Sequence, residues 1–480
     1  MNFKKKDKTN LKNKSRNNLD LRYEEMTKHP VSRLVTRLAI PTMVSMIVMA
    51  LYNMADTFFV GKISTAATGA VGVVFPLMMT MQALGLTLGV GSGSYVARLL
   101  GRKAEKEAQA AVSTAFFTAL ALGLLLGFFG LIFSAPLMRI LGSTDTILPQ
   151  AMEYANIILL GAPIMAASFV MNVNLRSEGS AFLAMVGLVS GAVINVGLDP
   201  LFIFTFKMGV AGAALATVIS QLISFSILAS HYLTRRSTLF ISWRCIQLRK
   251  DLYWEFFRSG LPTLSRMMLG TIAVIVLNTT ARNYGDPAIA AMTIVNRIMM
   301  FIMSLLIGFG QGFQPVAAFN YSAGKHERVL QAFKFTTRVG TSALLVCGIF
   351  TALFAAKVIA FFLNDPAFIA VGILALQLQA VSMPLNAFST ITNMMFQYTG
   401  QPWKATLLAA SRQGFVLIPS VILMSHIFLL EGLQSSQALA DVITLALAIP
   451  FAFPALARLK SASLDLENFE AESSSKKALA

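Results

Sequence analysis

Long apolar stretches separated by short polar connections run through this chain from about residue 34 to residue 457. About 20 such residues carry a helix across a bilayer. The pattern predicts helices near 34–61, 69–96, 107–133, 150–174, 181–205 and 209–232, then near 254–281, 288–318, 328–355, 367–396, 402–428 and 433–457. The short alternating segments of a transmembrane barrel are not visible. Between the two sets lies a polar connection, 233–253, whose basic and aromatic residues, Trp243 among them, suit a segment lying on the membrane surface.

The second set repeats the first. Shifting the sequence by 221 positions (262 minus 41) places Pro41 on Pro262, Thr42 on Thr263, Gly89 on Gly310, Pro163 on Pro384, Asn172 on Asn393 and Gly179 on Gly400. Six spans are an even number, so both copies enter the membrane in the same sense. The expected fold is an all-α polytopic membrane protein, with twelve transmembrane helices in two six-helix lobes related by a pseudo-two-fold axis along the membrane normal. The expected divisions are a basic tail over 1–33, an N-lobe over 34–232, the connection 233–253, a C-lobe over 254–457 and a tail over 458–480. A cleft between two such lobes, opened to each side in turn, is the plan of a secondary transporter.

Composition agrees with a membrane protein. Charged residues make up 13% of the chain, about half the roughly 25% of a soluble domain. The net charge of +17 would point to nucleic acid in a soluble protein. Here Lys and Arg crowd 4–37, 98–106, 235–258, 325–338 and the end of the chain, while the alternate loops hold little more than Lys62, Arg139, Lys207 and Arg282. That alternation places both termini in the cytoplasm and calls for a membrane partner, not nucleic acid. Residues 1–33 lack the apolar core of a signal peptide and read as a disordered segment drawn to anionic headgroups. Cys245 and Cys347 have no metal-ligand spacing around them and are assigned no disulfide.

The two copies differ in charge. Asp56 falls on Leu277 and Asp199 on Ser420, so the first copy alone is expected to carry carboxylates inside apolar segments. An aspartate at the centre of a span costs roughly 2.5–3.5 kcal/mol, so such acids mark function. Asn195 lies one turn before Asp199 and shares its face. Thr217 enters the sixth span at a similar depth. Two carboxylates in a low dielectric can hold a proton between them, and with amide and hydroxyl oxygens they can replace the hydration shell of a small cation such as sodium. The set Asp56, Asn195, Asp199 and Thr217 leaves both open.

Other features weigh less. Glu178 and Arg176 read as loop anchors, and Arg297 either answers an acid or reaches outward. The glycines from Gly89 to Gly93 and Gly310 to Gly312 lack the strand and the GKS/T of a phosphate loop, and read as helix packing. Paired methionines at Met267–Met268, Met299–Met300 and Met394–Met395 predict an adaptable C-lobe wall of a substrate cavity.

The segments AIPTMVSMIVMALYNMADTFFVG, GVGSGSYVARLLG, GFGQGFQPVAAFNYSAGK, LRSEGS and NVGLDPLF resemble the multidrug and toxic compound extrusion (MATE) family, over roughly residues 30–458. The resemblance implies a multidrug efflux antiporter of a bacterial cytoplasmic membrane. It would export small-molecule drugs and lipophilic cations in exchange for protons or sodium, as a monomer and with no cofactor. It assigns cation coupling to Asp56, Asn195, Asp199 and Thr217, joined by Tyr154, and a bending role to Pro41. The branch of the family with acids on spans 7 and 10 has no counterpart here, because the stretches LPTLSRMMLGTIAVIVLN and VSMPLNAFSTITNMMFQ carry no carboxylate. The alternative is a lipid-linked precursor flippase of the related polysaccharide exporter group. A membrane-embedded enzyme is not expected, since no catalytic constellation and no ATP-binding loop occur.

Overall fold

The computed structural model describes residues 20–234, 237–363 and 365–478, and every regular element in them is a helix. In chain order these are α1 (20–28), α2 (Val31–Gly61), α3 (Thr65–Gly101), α4 (Glu105–Ile132), α5 (Ser134–Ile140), α6 (Leu148–Ser177), α7 (Ala181–Pro200) and α8 (Gly209–Leu233). The second copy contributes α9 (Lys250–Ala281), α10 (Asp286–Ser322), α11 (His326–Leu353), α12 (Ala355–Phe362), α13 (Pro366–Ser382), α14 (Leu385–Tyr398), α15 (Pro402–Ala410) and α16 (Leu417–Ala478). Among the described residues ten helices are individually long and apolar enough to cross a membrane, and α13 with α14, bent by 55°, are together long and apolar enough for one more. The helical stretch Pro402–Leu464 is far longer than one bilayer thickness at about 1.5 Å per residue. It breaks at Leu429, whose φ of 52° is not helical, and so holds the last two of the twelve expected spans.

Two compact units divide the chain: residues up to Glu25 with Ile40–Leu264, and Met26–Ala39 with Ser265–Ala480. The divisions fall beside Pro41 and Pro262, inside α2 and α9, and not in the connection 233–253. Proline removes one helical hydrogen bond, which makes these natural places for the two parts of a helix to belong to different bodies.

In the first unit α6 is the central helix, with Tyr154, Ile158, Leu159 and Ala162 fully buried against Val74 and Met81 of α3. Small residues set the spacing. A Cβ at Gly123 would strike the backbone of Pro163, and one at Gly127 would lie 2.7 Å from the Leu159 carbonyl. Gly91 and Gly260 interlock likewise with the carbonyls of Phe256 and Thr87, so the glycine series does close helix packing. In the second unit α10 packs through Met292, Val295, Met299 and Leu306 against Phe368 and Leu376 of α13.

Two expected tails are structured where described. Residues 1–19 lie outside the described residues, but 20–28 form α1, whose Arg22 donates to Ser180 Oγ at 3.0 Å. α16 continues through Ala478, past the expected boundary at 458. The connection is pinned to α4, with the Ser242 and Gln247 N–H groups donating to Ser113 Oγ and Thr114 Oγ1 at 3.1 and 3.0 Å. Trp243 and Trp254 remain exposed.

Candidate functional site

The first unit gathers the expected polar set at one level. Asn195 and Asp199 project from the same face of α7, just before Pro200 and the π-helical turn Leu201–Thr205. Thr217 lies two turns into α8, and Asp56 near the end of α2. Asn195, Asp199 and Thr217 are at most 1% exposed. In the orientation that satisfies its neighbours, the Asn195 amide donates to Asp199 Oδ2 at 3.0 Å and accepts from the Thr217 N–H at 3.2 Å. Asp56 and Asp199 lie within electrostatic reach of each other. Oδ1 of each is buried and has no hydrogen-bond partner. The fully buried Tyr154 faces the Thr217 hydroxyl and feels both carboxylates, while its own hydroxyl donates to Met78 Sδ at 3.8 Å.

A cavity of about 100 Å³ opens beside this cluster, with Asn195 and Thr217 in its wall. That is room for several waters. The rest of the lining includes Tyr52, Gln82, Asn172, Ser220, Gln221 and Ser224, none of which the sequence reading singled out. Two signals were available. Tyr52 precedes Asp56 by one helical turn, and Thr217, Ser220 or Gln221, and Ser224 form a polar stripe at helical spacing along α8.

The methionines are distributed differently from the expected wall. Met299, Met394 and Met395 are buried in the second unit, Met394 against Gly310, while Met268 and Met300 are exposed and Met267 is half-buried. Met49, Met78, Met79 and Met165 line the first-unit cavity instead. Arg297 is exposed, with no ion-pair partner among the described residues. Glu178 is fully buried at the end of α6, accepting from Ser237 Oγ at 2.7 Å and from the Leu239 N–H at 3.2 Å. It anchors the loop, and burial pushes its carboxyl up to about 7.

One expectation is corrected. The first copy is not alone in carrying a carboxylate inside an apolar segment, because Asp441 of α16 is 2% exposed in the second unit. Its Oδ1 accepts from Arg412 Nε at 3.1 Å and Gln437 Nε2 at 3.3 Å. Its Oδ2 accepts from Asn386 Nδ2 at 2.8 Å and Ser382 Oγ at 3.1 Å. The acid lies on span 12 and its guanidinium partner on span 11, a pairing that sequence spacing does not reveal. The stretches 261–278 and 381–397 of spans 7 and 10 do lack carboxylates, while Glu255 near the start of span 7 is buried and accepts from Arg98 Nη2 and Ser259 Oγ.

A doubled set of membrane-crossing helices, with unsatisfied acids and a largely apolar cavity that carries polar groups in one copy, defines a polytopic membrane protein built as a transporter. The MatE family model matches residues 41–201 and again 262–423, and the chain belongs to that family. It is 27% identical over 417 residues to the multidrug export protein MepA of Staphylococcus aureus (strain MRSA252), covering 86% of this chain and 92% of that protein. Its fold matches the crystal structure of a MATE protein in complex with MaL6, with a TM-score of 0.86 and 27% identity, over 92% of this chain and 99% of that one. It also matches a MOP superfamily transporter from Pyrococcus furiosus Vc1 (DSM3638), described as having a binding pocket of reverse polarity that suggests a different function. That match has a TM-score of 0.85 and 27% identity, over 91% and 98% of the two chains.

Proposed function

We propose that this protein is a secondary multidrug antiporter that exports hydrophobic, often cationic compounds in exchange for protons or sodium ions. The observation that carries the coupling site is the pair of buried Oδ1 atoms of Asp56 and Asp199 without partners. A buried carboxylate oxygen without a donor is unfavourable by a few kcal/mol, and a proton or a small cation relieves both at once. Asn195 orients Asp199, Thr217 offers a further oxygen, and Tyr154 closes the buried side. The two aspartates with Asn195 and Thr217 supply the hard oxygen ligands a sodium ion takes. Pro41 serves as the hinge, supported by the division between the units beside it. Methionines give the drug path its tolerance of shape, the exposed Met268 and Met300 and the half-buried Met267 among them. The proposed setting is a bacterial cytoplasmic membrane, the protein monomeric and both its termini on the basic, cytoplasmic side.

The test uses the purified full chain in proteoliposomes, with a proton gradient and a sodium gradient imposed separately while export of a lipophilic fluorescent cation is followed. One gradient should drive export, and Asp56→Asn or Asp199→Asn should abolish it. Export driven at wild-type rates in both variants overturns the site. Transport of anionic lipid-linked sugars, with no transport of lipophilic cations, establishes the flippase alternative instead.

A further inference from the structure

Arg266 stands at the midpoint of the 32-residue helix α9. An arginine at the centre of a span is unfavourable by roughly 2.5–3.5 kcal/mol, and such residues usually pair with an acid. Arg266 does not: among the described residues no carboxylate lies within ion-pair distance of it and no acceptor takes a hydrogen bond from it. The residue as a whole is half-buried. The 221-residue shift places it on Ser45, whose hydroxyl merely donates to the Pro41 carbonyl at 2.9 Å, so the arginine is peculiar to the second copy.

Its charged neighbour is Arg412, within electrostatic reach on the π-helical turn Ser411–Phe415. α9 and this turn pack closely, since a Cβ at Gly414 would lie 2.8 Å from Leu269 and one at Gly270 would lie 3.5 Å from the Gln413 side-chain oxygen. Arg412 gives only Nε to Asp441, at 3.1 Å. Asp441 is already met by Gln437, Asn386 and Ser382, so it has no capacity left for Arg266. Two guanidiniums and one carboxylate leave a surplus of one positive charge, with the terminal amino groups of both arginines uncommitted. Paired guanidinium forks are suited to carboxylate or phosphate oxygens, which they bind in bidentate fashion.

We propose that Arg266 and Arg412 form an oxyanion-binding subsite in the second unit, which takes the carboxylate or phosphate group of an amphipathic ligand. The proposal deepens the export reading and rests on it for the origin of the ligand: substrates would include zwitterions as well as cations. Asp441 is a positioning residue that holds Arg412 toward the subsite.

Binding to the full-length protein in phosphatidylcholine nanodiscs tests this without any ion gradient. The probes are a fluorescent amphipathic amine bearing a free carboxylate and its methyl ester, with affinity read by anisotropy. Wild type should prefer the acid. Arg266→Gln should weaken acid binding about tenfold and leave the ester unchanged, so that ester binding reports a folded protein; Arg266→Lys should retain part of the preference. Phosphatidylglycerol added to the nanodiscs separates the two sources of the oxyanion. If it weakens acid binding in wild type but not in Arg266→Gln, a lipid phosphate occupies the same subsite; if it has no effect, the substrate carboxylate is the ligand. A wild type without preference, or an Arg266→Gln variant that keeps it, overturns the proposal. Failure of the ester to be exported in the gradient experiment would refute the export reading and leave this binding result standing.

Discussion

The two units treat a buried carboxylate in opposite ways. In the second, Asp441 is surrounded by four donors, one of them a guanidinium, and neither oxygen is left over. In the first, Asp56 and Asp199 each retain a buried oxygen with nothing to accept from, and a cavity opens beside Asn195 and Thr217 of the same cluster. The contrast teaches that burial alone does not identify a coupling acid. A saturated carboxylate is a structural tie, whereas one with an unmet oxygen is where the proposed proton or cation would bind.

The largest effect expected from this contrast is on transport. Asp56→Asn and Asp199→Asn should each reduce gradient-driven export to the leak rate, with the protein still folded. The double variant should lose no more than a single one, as groups acting as one unit do. Full additivity in proteoliposome rates would break the idea of one shared site.

Asp441→Asn should act on stability instead. Breaking a buried pair from one side leaves Arg412 uncompensated and is destabilising by about 3 kcal/mol. A lowered unfolding midpoint in detergent, with the choice of coupling ion unchanged in the surviving protein, would confirm the division of labour. Loss of ion dependence would instead make the second unit part of the coupling path. Asn386, a donor to the same carboxylate, should behave as a weaker version of Asp441.

Glu178 gives a third kind of acid, partnered yet lifted to about 7 by burial. Between its ordinary value near 4.5 and 7, the folded state binds the proton that the unfolded state releases. Stability therefore falls as pH rises through that window, by about 2 kcal/mol between pH 5 and pH 8. Thermal unfolding across this range should show the slope in the wild type and a flatter profile in Glu178→Gln.

The smallest effect compares the paired prolines. Pro41→Ala should slow turnover severalfold at unchanged expression. Pro262→Ala, the same change on a helix whose acids, Asp251 and Glu255, both precede the proline, should leave turnover near wild type. Equal losses would assign both prolines to packing.

Much of this was legible in the residues themselves. The twelve spans follow from apolar run lengths, because a bilayer demands about 20 residues whatever the packing. The cluster at Asn195 and Asp199 follows from four-residue spacing, since a helix brings such pairs to one face. The Asp441 tie did not emerge, because its donors come from three separate segments that only folding brings together. How the paired methionines are turned is likewise not set by their adjacency alone. Adjacent residues on a helix point about 100° apart, and Met299 turns inward while Met300 turns outward, whereas Met394 and Met395 are both buried.

The π-helical turn at Ser411–Phe415 sets the register of the eleventh span. A turn closed by i→i+5 bonds holds one more residue than an α turn, so each side chain beyond it is rotated by about 100° from where an unbroken α-helix would place it. Arg412 lies within that turn. Where its guanidinium points, and so which carboxylate it meets, follows from one wide turn and not from helical spacing alone.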